Sequence, residues 1–333
     1  MSKELILEFS DNDVVPVLFG EYNDHLAYLE KKLEINISDR GNLLRISGNI
    51  DSITKAQITL QSLHTRLRSG ELQNITHADI DAELRFLTNG QTSSDKKSGK
   101  KDKQKNEPQP NGNMVIKTKN KTIVPRSPNQ QKYLELMCKH DLVFGLGPAG
   151  TGKTYLAVAA GVDMYLRGEV ERLIFCRPAV EAGEHLGFLP GDMKEKIDPY
   201  LRPIYDALHD MLPWEFLLKK MEAGEIEIAP LAFMRGRTLA HSYVILDEAQ
   251  NATPSQMKMF LTRMGESSHM VITGDATQSD LPAHMNSGLN EAVAILDGVE
   301  DIGFITFEAE DVIRHSLVRK IIRAYDDFTA KKN

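Results

Sequence analysis

The chain is 333 residues long, beyond the roughly 100 to 200 of one domain, and its 41% apolar and 26% charged composition excludes a fibrous, disulfide-rich or wholly disordered protein. Its two cysteines, Cys138 and Cys176, lack Cys or His neighbours at metal-ligand spacing, which argues against a disulfide framework or a zinc site and leaves both as small core hydrophobes. The net charge of −7 is unevenly spread: residues 95–126 carry +7 and the remainder −14, so attraction for a polyanion has to come from local patches.

Residues 1–87 read as a small α+β module. LILEF, from Leu5 to Phe9, is strand-like, and Leu26, Leu29 and Leu33 then recur at helical spacing behind Asn23 or Asp24 as N-cap. EINIS and LLRIS flank Asp39-Arg40-Gly41-Asn42, which predicts a hairpin whose turn uses the positive φ that Gly41 supplies. Asp51 opens a long helix with Ile53, Ala56, Leu60, Leu63 and Leu67 on one stripe, and Thr76 with Asp79 caps a third helix. Residues 88–119 are expected to be a basic, disordered linker, because GQTSSDKKSGKKDKQKNEPQPNGN has almost no large apolar side chain. Its six lysines between Lys96 and Lys105 read first as a solvated tether and second as a contact for RNA phosphates. MVIKTKNKTIV alternates enough for a hairpin or edge strand leading into the main domain, residues 120–333.

In that domain DLVFGLG, ERLIFCRP, SYVILDE, HMVITGD and IGFITF are strands that alternate with helical segments, the pattern of an α/β fold with a parallel sheet flanked by helices. Gly147, Pro148, Ala149, Gly150, Thr151, Gly152, Lys153 and Thr154 fit G-x-x-x-x-G-K-[ST] between a strand and a helix. This is a P-loop: glycines let backbone N–H groups approach phosphate oxygens, Lys153 bridges the β- and γ-phosphates, and the Thr154 hydroxyl ligates Mg2+. YVILDE ends in Asp247 and Glu248 at the sheet edge where ligands bind; Asp247 suits the metal, and Glu248 suits the attacking water. VITGDATQ places Asp275 and Gln278 at the same edge, Gln278 to sense the γ-phosphate and Asp275 to hold the loop or the metal's surroundings.

The Gln130 carboxamide offers the donor and acceptor that an adenine edge requires. Arg314, and after it Arg237, are candidates to neutralise transition-state charge, from the same chain or a neighbouring one. Arg177 opens a Gly- and Pro-rich loop and is a candidate contact for phosphate or nucleic acid. No N-K-x-D signature for guanine follows the P-loop. The richest apolar stretch, YLAVAAGVDMYL from Tyr155, is too short to cross a membrane, and the start of the chain lacks the apolar core of a signal peptide, so a cytoplasmic location is expected.

In order, GPAGTGKT, CRPAVEAGEHLGFLPGD, MRGRTL, VILDEAQN, GDATQSDLP and VIRHSLVRKII resemble the PhoH-like ATPase family across roughly residues 120–327. The resemblance implies a RecA-like core related to superfamily 1 helicases, ATP and Mg2+ as ligands, and the roles above for Lys153, Thr154, Asp247, Glu248 and Gln278. It also implies a homo-oligomeric, often hexameric ring acting in RNA metabolism. The amino-terminal module resembles the KH-like extension of bacterial members that work beside the YbeY endoribonuclease family in ribosomal RNA maturation. Its G-x-x-G loop here reads Gly20-Glu21-Tyr22-Asn23, where an acid and a missing second glycine weaken the clamp on phosphates and leave subunit or partner contacts as an alternative role. The expected activity is an RNA-stimulated ATPase, with helicase action as an extension. The alternative is an ATP-gated assembly platform for an RNA-processing partner, without unwinding.

Overall fold

Local sequence signals build the first elements. A computed structural model describes residues 3–11, 13–92, 114–178, 193–282 and 285–312. The chain divides into two units, residues 1–115 with 124–131, and residues 116–123 with 132–333. In the first unit, β1 (Lys3–Glu8), β2 (Asn36–Arg40) and β3 (Leu43–Gly48) form an antiparallel sheet in the order β1-β3-β2. Gly41 turns the β2–β3 hairpin at φ 68°. Helices α1 (Val15–Phe19), α2 (Asp24–Leu33), α3 (Ile50–Arg68) and α4 (His77–Thr92) complete the unit. Leu7, Leu29, Leu44, Ile46, Ile53, Ala56, Leu60 and Leu63 form its buried centre, so the α3 stripe packs as its spacing predicts.

Details of capping differ from the sequence expectation. Asn23 takes a left-handed φ of 62° and makes no side-chain cap to α2; its Nδ2 instead donates to Asp39 Oδ1 at 3.0 Å. Asn49, two residues before Asp51, caps α3 by accepting from the Asp51 N–H. Helix α1 was not expected, because five residues are too few to display a 3.6-residue period. Helix α4 continues to Thr92, past the expected boundary at residue 87, with no proline to stop it. The lysine run of the expected linker lies outside the described residues.

The second unit begins with the hairpin β4 (Ile116–Lys117) and β5 (Thr122–Ile123), the hairpin that MVIKTKNKTIV predicts, and continues from Lys132 within helix α5 (Pro128–Lys139) into the main sheet. Strands β6 (Leu142–Leu146), β7 (Arg172–Arg177), β8 (Ile226–Pro230), β9 (Ser242–Leu246), β10 (His269–Gly274) and β11 (Ile302–Thr306) form one parallel sheet in the order β11-β6-β10-β9-β7-β8. The five predicted strands are present. β8 joins them at the edge; its IEIAP follows Glu225 and ends in Pro230, and a proline within a short apolar run argues against a strand, which hid it. Every residue of β6 and β9 is buried, as strands covered on both faces require.

Helices α6 (Lys153–Arg167), α7 (Met193–Met211), α8 (Trp214–Glu222), α9 (Pro254–Leu261) and α10 (Gly288–Leu296) flank the sheet. Cys176 is buried in the core as expected, whereas Cys138 is exposed, which corrects its reading as a core residue: it falls one position outside the α5 stripe of Tyr133, Leu134 and Met137. Among the described residues no helix is long and apolar enough to cross a membrane.

Candidate nucleotide site

The sheet order decides where the site forms. The chain leaves β6 for β7 three places away, and β9 and β10 later fill the gap, so the carboxyl ends of β6, β10 and β9 share one rim. Such a switch in strand order opens a crevice above the sheet. Here it holds a cleft of about 580 Å³ lined by Gly150, Lys153, Thr154, Asp247, Glu248, Asp275 and Gln278, among others.

The P-loop connects β6 to α6. Gly147 has φ 131°, and a Cβ there would lie 2.4 Å from the Phe307 carbonyl oxygen, so only glycine lets the loop turn over β11. Its N–H donates to the Gly274 carbonyl at 3.1 Å, which ties the loop to the end of β10. Gly152 precedes α6 in a left-handed conformation and no side chain caps that helix, so its first N–H groups and dipole are directed to an anion. The Lys153 ammonium donates to the carbonyls of Gly147 at 2.7 Å and Pro148 at 2.8 Å, within the curl of the loop. Burial lowers its pKa from the ordinary lysine value, and the nearby Asp275, Glu248 and Asp247 carboxylates only partly oppose this.

Thr154 begins the acidic side of the cleft. Its hydroxyl donates to Asp247 Oδ1 at 2.7 Å, and Thr273 from β10 donates to the same oxygen at 2.6 Å. Asp247 is 2% exposed. Its Oδ2 faces Arg177 Nη2 at 3.1 Å in an ion pair without hydrogen-bond geometry. Glu248 follows at φ 53°, a left-handed conformation that a non-glycine residue holds only under constraint. Arg177 Nη2 lies 3.0 Å from Glu248 Oε1, and Gln250 Nε2 donates to Oε2 at 2.6 Å. The Gln250 oxygen in turn accepts from the Asp275 N–H at 3.1 Å, so one buried carboxamide links the acidic pair to the loop after β10.

Asp275 holds that loop through Oδ1, which accepts from the Thr277 N–H at 3.0 Å and the Thr277 hydroxyl at 2.7 Å, while its buried Oδ2 has no hydrogen-bond partner. Gln278 is exposed at the cleft wall. These hard oxygens fit Mg2+, which binds through one or two carboxylates plus substrate phosphates and needs no cage of protein ligands. Among the described residues no three His, Cys, Asp or Glu side chains converge to form such a cage.

Of the other expected residues, Gln130 is buried and its Oε1 accepts from the Arg126 N–H at 2.6 Å, a local bond at the start of α5. Arg237 spends its fork on Glu227, with both N···O distances 2.7 Å, beside the edge strand β8 and three strands from β10. In this structure the Arg237 guanidinium is thus paired at β8. Arg177 meets carboxylates, where the sequence suggested phosphate. Arg314 lies outside the described residues. Sequence reasoning assigned no role to Gln250, Thr273, Asp206 or Asp210. The last two line the cleft from α7 at i, i+4 spacing, a periodicity that placed them on one helical face.

Residues 122–326 match the model of the PhoH family, described as PhoH-like protein. A PhoH-like protein of Bacillus subtilis (strain 168) is 48% identical over 309 residues, covering 93% of each chain. A PhoH-like protein of Mycobacterium tuberculosis (strain H37Rv) is 44% identical over 313 residues, covering 94% of this chain and 85% of that one. Among solved structures, the UvsW helicase of bacteriophage T4 aligns with 58% of this chain and 64% of its own, at 9% identity and a TM-score of 0.37. The Pif1 helicase of Candida albicans aligns with 54% of this chain and 39% of its own, at 13% identity and a TM-score of 0.30.

Proposed function

The chain belongs to the PhoH-like protein family, and from that membership and the geometry of the cleft we propose that it binds ATP with Mg2+ and hydrolyses it in RNA metabolism. One observation carries the reading: the Thr154 hydroxyl meets Asp247 at 2.7 Å beside the P-loop, with Glu248 as the next residue. When bound, Mg2+ supplies Lewis acidity at the β- and γ-phosphate oxygens. Thr154 and Asp247 would hold it. Lys153 and the α6 N–H groups draw in the phosphates, Glu248 orients the attacking water and takes its proton, and Gln278 contacts the γ-phosphate. Arg314 is the candidate to neutralise charge in the transition state, and Gln130 the candidate adenine contact.

Two features support RNA as the partner. In the first unit, strand, two helices, two strands and two further helices follow one another around an antiparallel sheet, and the Gly20–Asn23 loop joins the first two helices, which supports a KH-like module. Asn23 adopts the left-handed backbone that glycine takes freely, and Asn is among the few other residues that tolerate it. The loop therefore keeps a glycine-like path, although Glu21 still adds an acid. The second feature is the +7 charge of residues 95–126. Assembly as a hexameric ring, work beside a YbeY-family endoribonuclease in ribosomal RNA maturation, a helicase step and a cytoplasmic location extend the proposal on the family resemblance.

Steady-state ATP hydrolysis with and without structured RNA tests this reading. RNA is expected to raise the rate. A rate indifferent to RNA on every substrate tried would favour the ATP-gated platform.

A further inference from the structure

The residue on which the expected and observed contacts differ most is Arg177. It ends β7, the strand hydrogen-bonded beside β9, so its guanidinium reaches the acidic pair from the side. One nitrogen, Nη2, serves both acids, 3.1 Å from Asp247 Oδ2 and 3.0 Å from Glu248 Oε1. Gln250 occupies Glu248's other oxygen at 2.6 Å. Both carboxylate oxygens thus face protein donors, and the charge-assisted contact from Arg177 is of the stronger kind. Two consequences follow from the geometry. A water to be activated by Glu248 needs an oxygen turned toward it, and Oε1 is turned toward β7. A divalent cation at Asp247 meets a guanidinium already placed against that carboxylate, and two cations compete for one site.

Resting on the ATPase reading above, we propose that Arg177 is a positioning residue that restrains the acidic pair: it competes with the divalent cation at Asp247 and holds Glu248 away from the attacking water, so its release from Glu248 is a step in turnover. The side chain is 15% exposed, between the buried Asp247 and the 44% exposed Glu248, so the contact is shielded enough to matter and open enough to exchange. Because a single nitrogen meets both oxygens, an ammonium placed there would meet the same two acceptors, which makes Arg177→Lys the conservative variant.

Arg177→Ala and Arg177→Lys test this through three readouts. The first is kcat against KM for ATP without RNA. The restraint predicts a kcat roughly fivefold higher in Arg177→Ala, the equivalent of the ~1 kcal/mol carried by a half-exposed charge pair, with Arg177→Lys nearer the wild type. The second is the affinity of Mn2+ for the ADP-bound protein, followed by the paramagnetic signal of free Mn2+, which should tighten by a similar factor in Arg177→Ala. The third is a double-mutant cycle on thermal unfolding of the nucleotide-free protein with Arg177→Ala and Glu248→Gln, where the two changes should couple.

A fall in kcat for a folded Arg177→Ala, or unchanged Mn2+ affinity with no coupling, overturns the proposal. If Arg177→Ala does not fold, Arg177→Lys and Arg177→Gln carry the same comparisons. A wild type that binds Mn2+·ADP without turning over ATP sinks the hydrolysis reading instead, and Mn2+ affinity together with the cycle then decides whether Arg177 competes for the pair.

Discussion

At the scale of single residues, the nucleotide site depends on short polar contacts buried at the ends of strands. Asp247 Oδ1 accepts from both Thr154 and Thr273, and each of these bonds joins a charged acceptor to a buried or half-buried hydroxyl. Thr273→Val keeps the shape and removes one donor, and a buried hydrogen bond to a charged group is worth about 1.5 to 3 kcal/mol. Denaturant unfolding should report a loss near the lower figure, because Thr154 still supports Asp247, and ATP turnover should fall with it. Full stability in Thr273→Val would show that the β10 contact carries no weight.

Much of this site was legible in the sequence, since Gly147 to Thr154, Asp247 and Glu248 announce themselves by motif and by position after an apolar strand. Thr273 and Gln250 did not. Their roles come from β10 lying between β6 and β9, and sheet order is not written in local spacing. Arg177 was legible as a candidate, but its partners were not, because the pairing of β7 with β9 is what brings the guanidinium to the acids.

At the scale of elements, close packing sets what the helices of the nucleotide domain tolerate. Gly161 lies in α6 against Tyr243, and a Cβ there would come within 2.5 Å of the Tyr243 ring. Alanine favours a helix interior over glycine by ~1 kcal/mol, but overpacking a core costs about 1 to 3 kcal/mol. Tyr243 is fully buried and cannot swing aside, so the clash wins. Gly161→Ala is expected to lower the midpoint of thermal unfolding, and a raised midpoint would refute this account of the α6–β9 contact.

The end of α7 is fixed differently. Asp210 accepts from Lys121 and from Tyr155, both at 2.6 Å, which joins α7 to the β4–β5 hairpin and to the first turn of α6. Burial raises the Asp210 carboxyl, but the bonds from Lys121 and Tyr155 outweigh it and hold the pKa below the ordinary 3.8. A depressed folded pKa adds stability that is present above the ordinary value and lost as pH falls through the folded one. Asp210→Asn should therefore be less stable than wild type at neutral pH, with the gap closing once the pH is below about 4. A gap that persists unchanged at acid pH would assign the effect to packing instead.

At the scale of the whole molecule, each unit has its own buried core, one around Leu29, Leu44 and Leu60, the other around Phe144, Val244 and Phe260. Separate cores allow separate roles. A protein limited to residues 114–333 should keep the ATP affinity of the full chain and lose stimulation by RNA; undiminished stimulation would remove the first unit from RNA binding. The division itself was partly legible, because the drop in apolar residues after residue 88 marks where a core cannot continue. The ends of that stretch were not, since α4 runs on to Thr92 and the hairpin at Ile116–Ile123 packs with the second unit through contacts distant in sequence.

The central claim is that this cleft turns over ATP with Glu248 acting on the water, and the most direct measurement compares ATP affinity and turnover in wild type and Glu248→Gln. The account predicts ATP binding within a few-fold of wild type and turnover reduced by about 100-fold or more, the scale of a positioned acid–base group. Turnover by Glu248→Gln equal to that of wild type, with ATP bound equally well, would contradict it.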